Sequence, residues 1–155
     1  MLGKAYKGDT FTFHMNNGGG VVSSATMITA AMAASKATIH GKLSGTVASA
    51  TTTITMYCDS IEVAPYSQFM IHNYFHGAQG TGSQVKEYVN FTDDEFVKST
   101  KEVYAGFITP SEMGQVSRDD KEIWMGTAET VARWEARKKG DSKALEAIEA
   151  ARKAK

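Results

Sequence analysis

At 155 residues, with 17 Lys plus Arg against 17 Asp plus Glu and 42% apolar residues, the chain has the length and hydrophobic content of one globular domain and no net charge. That balance excludes the generally basic surface of a nucleic-acid binder. One cysteine, Cys58, excludes an intrachain disulfide and a thiol-rich metal site, and the sequence shows neither a signal peptide nor an apolar run of membrane-spanning length. A soluble, cytoplasmic protein without a membrane partner is expected, and its apolar fraction is compatible with surface hidden in an assembly.

Thr10 to Met15 (TFTFHM) alternate, with Phe11, Phe13 and Met15 on one side, the period of a half-buried strand. Three glycines, Gly18 to Gly20, break it. The small residues from Ser23 onward (SSATMITAAMAAS) predict a tightly packed helix, with Ser23 or Ser24 as N-cap and Met27, Ile28, Ala31 and Met32 on its buried stripe. "ATIHGKL" reads as a strand, and "SIEVAPYSQFMIH" as one or two more, with Pro65 at a turn or edge. Between them the threonines around Ile54 favour a strand on propensity alone. The alternation of strand and helix predicts α/β layering.

After His72, "HGAQGTGS" reads as a glycine-rich loop, and Gln84 to about Ala105 as a long helix carrying Val85, Tyr88, Val89, Phe96, Val103 and Tyr104 at helical spacing. Pro110 suits the first position of a further short helix. From Ala128 the chain is rich in Ala, Glu, Lys and Arg, is punctuated by Gly140, and resumes with a cap at Asp141 or Ser142. It reads as a largely solvated helical tail, anchored by Trp134, with Glu149 and Lys153 as a helix-stabilising pair.

Of the four histidines, His14 and His40 fall in strand-like stretches and read as structural. His72 and His76 share a loop, but no neighbouring carboxylate or cysteine completes a metal-ligand set, so no metal and no cofactor are expected. A serine nucleophile needs a base, a group to orient the base, and donors for the oxyanion. The chain offers candidates for each. Ser49 lies among slim neighbours in "GTVASAT", His72 follows the apolar "QFMI", acids cluster in "SRDDKEIWMG", and the glycine run frees backbone N–H groups. A glycine run before a helix also suggests a phosphate cradle, but "NNGGGVV" lacks the Lys-Ser/Thr ending of a P-loop and the spaced glycines of a dinucleotide fingerprint.

Together, "NNGGGVV", "GTVASAT" and "MIHNYFHGAQG" resemble the glycine motif, nucleophile segment and base motif of the Clp-type proteolytic subunit, in the family's order and at similar intervals from about Thr10 to Glu129. The likeness is strongest to divergent versions found in phage genomes. It implies a Clp protease/crotonase-like α/β spiral of β-α-β units, with a long handle-type helix and a helical C-terminal tail. The expected domains are residues 1–139, the Clp-protease-like unit, and 140–155, the charged tail. It also implies a helix over residues 50 to 58 in place of the strand that propensity favours.

The resemblance assigns Ser49 as nucleophile, His72 as base, and Glu122 as the orienting acid, with Asp120 or Asp119 as alternatives. Gly20 and Ala50 become the oxyanion hole, and Gly19, Gly20 and Val21 the substrate-binding segment. Gly18 stands where the family has proline, trading a preset turn for flexibility. The implied activity is serine endopeptidase within a homo-oligomeric ring or stacked rings, acting on peptide or protein substrates. Residues 77 to 105 would supply the ring-to-ring elements. An unfoldase of the AAA+ type is a possible partner, although the chain is expected to be N-terminally shortened and to lack the docking elements. Two alternatives stand beside this reading: a phage head-maturation protease working without an unfoldase, and a catalytically inactive Clp-like assembly or binding protein.

Overall fold

The computed structural model describes residues 2–154. After a short 3-10 turn at Leu2–Lys4 come β1 (Thr10–Asn17), α1 (Val22–Ala33), β2 (Thr38–Ala48), α2 (Ala50–Met56), β3 (Ser60–Val63) and β4 (Gln68–Ile71). The second half holds α3 (Gly82–Val103), α4 (Pro110–Asp119), β5 (Ile123–Gly126), α5 (Thr127–Lys139) and α6 (Ser142–Lys153). The α/β class read from the sequence is the class observed.

The eleven residues of β2 organise the sheet. β1 runs parallel along one edge. On the other edge His40 to Leu43 pair with β3 and Thr46 to Ala48 with β4, also parallel. β5 closes antiparallel on β4, Ile71 opposite Ile123. The β1–β2 register shifts between Met15 and Asn17, where Gly45 takes φ +59° and Asn16 Oδ1 accepts the Thr46 N–H at 3.2 Å. A Cβ on Gly45 would lie 2.7 Å from that oxygen, so the bulge needs both glycine and the asparagine that plugs it.

Met15, Ile39, Leu43, Val47, Phe69 and Ile71 from the strands form one core with Phe107, Ile108, Val116 and Trp134. Phe69 and Phe107 pack with ring centroids 5.4 Å apart. Trp134 is buried, as its role as an anchor requires.

Residues 50 to 56 are helical against their propensity, and the threonine hydroxyls show why. Thr52 Oγ1 donates to Ser49 O at 2.6 Å and Thr55 Oγ1 to Thr51 O at 2.9 Å, while Thr51 bonds Asn17 Oδ1 and Thr53 the Tyr104 phenol. Each hydroxyl is satisfied within the helix or against a neighbour, and burial of Thr51, Thr52 and Thr55 decides what propensity leaves open.

Two expectations for α1 are corrected. It starts from Val21, with no side-chain cap from Ser23 or Ser24. Its buried positions are Ala25, Thr29 and Met32, with Ile28 half-buried, whereas Met27 is 75% exposed and Ala31 is also exposed. The small residues Ala25 and Thr29 carry the packing because α1 lies close against α2; the larger Met27 faces outward.

A buried polar network fixes the C-terminal half. Thr109 caps α4, Pro110 takes its first position, and Glu112 returns the capping-box bond to the Thr109 N–H at 3.1 Å. Both carboxylate oxygens of Glu112 accept from Arg133 of α5, at 2.7 and 2.8 Å, and Arg133 Nε also donates to Glu129 at 2.9 Å. Burial works against the Arg133 charge, but the bonds to Glu112 and Glu129 outweigh it and hold its pKa above the ordinary value. Thr109 Oγ1 donates to Glu149 at 2.7 Å, which pins α6 beside buried Leu145, while most of α6 is solvated. Lys153 lies 2.5 Å from Glu149, so the pair read from the sequence is part of this anchor.

Removing one partner of a buried pair strands the other charge, so Arg133→Met should cost about 3–5 kcal/mol in urea unfolding. Adding Glu112→Gln, which neutralises the stranded carboxylate, should return part of that loss; an equal or larger loss in the double variant would contradict the account. Burial disfavours charge at Glu149, yet the bonds from Lys153, Thr109 and Ser111 prevail and hold its pKa below 4.5. Its stabilisation is therefore present above that pH and lost as pH falls through the lower folded value. The stability gap between wild type and Glu149→Gln should narrow as the solution is acidified below the ordinary carboxylate range, as thermal unfolding at several pH values would show.

Candidate active site

Ser49 occupies the single residue between the end of β2 and the start of α2, with φ 56° and ψ −130°. Positive φ at a non-glycine residue stores strain that its surroundings must hold. Three contacts do so. The Ser49 N–H donates to Met70 O of β4 at 2.9 Å, its carbonyl accepts from the Thr52 N–H at 2.9 Å, and the Thr52 hydroxyl reaches the same carbonyl. The strand-to-helix turn projects Oγ outward from the sheet end, as in a nucleophile elbow.

β4 supplies the second group. Two residues after Met70, His72 leaves the strand end and sets Nε2 at 2.6 Å from Ser49 Oγ. With Nε2 accepting the hydroxyl proton, the ring proton sits on Nδ1 and is available to a carboxylate. His76, from the same loop, is instead stacked on Tyr74 at 4.9 Å and edge-on to Tyr88. His14 is exposed on β1, and His40 bonds Ser60 Oγ at 2.8 Å on the neighbouring strand. Among the described residues no group of three or more His, Cys, Asp or Glu could hold a metal ion.

The glycine run lies directly against Ser49. A Cβ on Gly19 would fall 2.5 Å from Ser49 Cβ, 2.9 Å from Ala48 O and 3.0 Å from Ala50 N, and Gly19 has φ +103°. Both the space and the conformation exclude any other residue. At Gly18, by contrast, a Cβ meets nothing within 4 Å. Asn17 Oδ1 accepts from the Gly19 N–H at 3.0 Å and from Thr51 Oγ1, so one side chain ties the glycine run to the first turn of α2. Asn17 is not among the site residues assigned from the sequence; its signal there is the Asn-x-Gly spacing of an Asx-turn. Neither Gly20 N nor Ala50 N donates a hydrogen bond among the described residues. Gly19, Gly20 and Val21 line a shallow groove with Ala50, and Val21 is 67% exposed.

Beside Ser49 and His72 opens a cavity of about 180 Å³. Val22, Ala25 and Thr29 of α1, Thr53 and Tyr57 at α2, and Phe96, Thr100 and Val103 of α3 line it, and none of these side chains is an acid or a base of the Asp, Glu, Lys, Arg or His type. Its walls suit an uncharged group.

The candidate acids surround this site without bonding the imidazole. Asp120 Oδ1 accepts from Asn73 Nδ2 at 2.6 Å, next door to His72. Glu122 Oε2 accepts from Trp124 Nε1 at 2.8 Å, and Asp119 is exposed at the end of α4. Among the described residues no carboxylate hydrogen-bonds His72 Nδ1. Glu122 directly precedes β5 and His72 directly follows β4, so the two residues flank the terminal Ile71–Ile123 pair of the ladder.

A family model described as Clp protease matches residues 1–133. No curated protein matches the chain.

Gly19→Ala should push the glycine run off Ser49 and lower the rate of Ser49 modification by a fluorophosphonate by roughly a hundredfold, the scale of a displacement near 1 Å. Gly18→Ala should leave it unchanged. Equal labelling of the two variants would show that the close approach does not hold the serine.

Proposed function

The chain belongs to the Clp protease family, and from that membership we propose that it is a serine peptidase in which Ser49 and His72 hydrolyse peptide bonds of protein substrates. The observation that carries the reading is the 2.6 Å contact between Ser49 Oγ and His72 Nε2 at a strand-to-helix turn. Ser49 Oγ attacks the substrate carbonyl carbon while His72 Nε2 takes its proton. The imidazolium then gives that proton to the departing amine, and water repeats the sequence on the acyl-enzyme. Gly20 N–H and Ala50 N–H receive the oxyanion, for which their lack of partners leaves them free. Gly19, Gly20 and Val21 line the extended substrate, with one side chain in the uncharged cavity. Glu122 is the orienting acid, supported by its place next to Ile123, the partner of Ile71, which precedes His72; closing the triad requires its carboxylate to exchange the Trp124 indole for His72 Nδ1. Residues 1–139 form the peptidase unit and 140–155 its tail.

Assembly into a ring is supported by α3, whose one buried residue is Thr100 and whose apolar positions Tyr88 and Phe91 are exposed, as is Phe75 in the preceding loop. Among the described residues no helix is long and apolar enough to cross a membrane.

A second reading, an inactive Clp-like binding component, is favoured by one observation: among the described residues no carboxylate bonds His72. Chemistry separates the two. A fluorophosphonate should label the wild-type chain and spare Ser49→Ala, and His72→Ala should lose at least about a hundredfold in rate; an unlabelled wild type supports the binding component. Among Glu122→Gln, Asp120→Asn and Asp119→Asn, only the first should lower peptide hydrolysis strongly, and three equal activities would refute the assignment of the acid. Light scattering at micromolar concentration should find an oligomer; a monomer would remove the ring.

A further inference from the structure

Tyr104 follows α3 directly and is buried, 5% exposed, where it lines the cavity beside Ser49. Its phenol oxygen lies 2.6 Å from Thr52 Oγ1 and 3.1 Å from Thr53 Oγ1. The proton count gives these contacts a direction. Thr52 has one hydroxyl hydrogen, and it is donated to the Ser49 carbonyl at 2.6 Å. The Tyr104 O–H therefore donates to Thr52, and the Thr53 O–H donates to Tyr104. The three hydroxyls form a chain that ends on the backbone of the candidate nucleophile, with every hydrogen used once.

We infer that Tyr104 is a positioning residue for Ser49: through Thr52 it holds the Ser49 carbonyl, and with it the positive-φ turn that aims Oγ at His72. The inference rests on the hydrolysis proposed for Ser49 and His72 and adds a group whose hydroxyl bonds Thr52 and Thr53 and not the reacting atoms. A phenylalanine would fill the same space with no buried hydroxyl to satisfy, so packing alone does not account for tyrosine here. The other buried threonine hydroxyls of α1 and α2 that bond carbonyls, Thr29 and Thr55, serve their own helices, at Thr26 O and Thr51 O. Among the described residues Tyr104 alone extends such a bond from the end of α3, through Thr52, to the turn. Burial raises its pKa above the ordinary value, against the smaller opposing effects of Thr52, Thr53 and Arg137, so the phenol remains a donor through the neutral range. A neighbouring donor hydroxyl also strengthens the Thr52 bond to the carbonyl, because hydrogen bonds in series polarise one another.

The test compares Tyr104→Phe, Thr52→Val, Thr52→Ser and the Tyr104→Phe/Thr52→Val pair in the full chain, by peptide hydrolysis and by hydrogen–deuterium exchange of the amides in residues 49–56. Tyr104→Phe should lower kcat roughly five- to tenfold with KM within about twofold, the scale of one hydrogen bond. Thr52→Ser, which keeps the hydroxyl, should stay near wild type, and the paired variant should be no slower than Thr52→Val alone. Exchange in residues 49–56 should quicken in Tyr104→Phe while that of α5 is unchanged. Unchanged kcat and exchange in Tyr104→Phe, or a loss of activity that only follows a fall in Tm, would overturn the inference. A wild type that neither hydrolyses peptide nor takes the fluorophosphonate defeats the peptidase reading instead; exchange, which needs no catalysis, still judges the positioning.

Discussion

The close approach of Gly19 to Ser49 is the constraint around which this fold is arranged. One missing Cβ lets the glycine run lie against a turn whose serine has positive φ, and the turn in turn needs β4 to accept its N–H and α2 to accept its chain direction. β4 then delivers His72 to the same point. Strand pairing, glycine geometry and helix start are thus solved together at one end of the sheet. A change that relaxes any one of them moves the distance between Oγ and Nε2, on which the proposed chemistry depends.

The second half of the chain holds three helices and a short strand, and to the apolar packing of Phe107, Ile108, Val116 and Trp134 it adds buried charge. The Arg133–Glu112 pair, extended through Thr109 to Glu149, joins α4, α5 and α6. Such a network is a weak source of net stability compared with apolar packing of the same volume, but it permits few alternative arrangements. β5 lies between α4 and α5 in the chain, so the network also governs where the strand leading out of Glu122 can sit. Ser49 and His72 come from the parallel part of the sheet and meet at its end, whereas Glu122, the acid proposed, precedes β5 and bonds Trp124.

How much of this was readable in the sequence depended on whether the deciding contacts were local. β1, the long run of α3, Pro110 at the head of α4 and Gly140 after α5 follow from periodicity and end signals that act within a few residues, although α3 starts at Gly82, two residues before the Gln84 that periodicity marks. Residues 50 to 56 did not, because the partners that satisfy their threonines, Asn17 and Tyr104, stand far away in the chain. Only the family resemblance corrected the propensity. Met27 was misjudged for a similar reason: an apolar side chain says nothing about which face of α1 meets α2, and the smaller Ala25 and Thr29 took that face. Ser49 and His72 were legible as motifs and are brought together in space. The acid was not, since three carboxylates fall within four positions and the choice among them lies in side-chain torsions that sequence does not encode.

β2, flanked on one edge by β1 and on the other by two strands in succession, has a consequence for how the chain can vary in length. An inserted residue in a strand with a free edge can be absorbed as a bulge, but here it would have to be accommodated by partners on both edges, and the existing bulge at Gly45 is already filled by Asn16. A slip by one residue would turn Ile39, Leu43 and Val47 from the core to the opposite face. Insertions and deletions between Thr38 and Ser49 should accordingly be rare among functional variants of this chain. The glycine-rich stretch before α3, with no strand to keep in step, is where added length can be taken up freely.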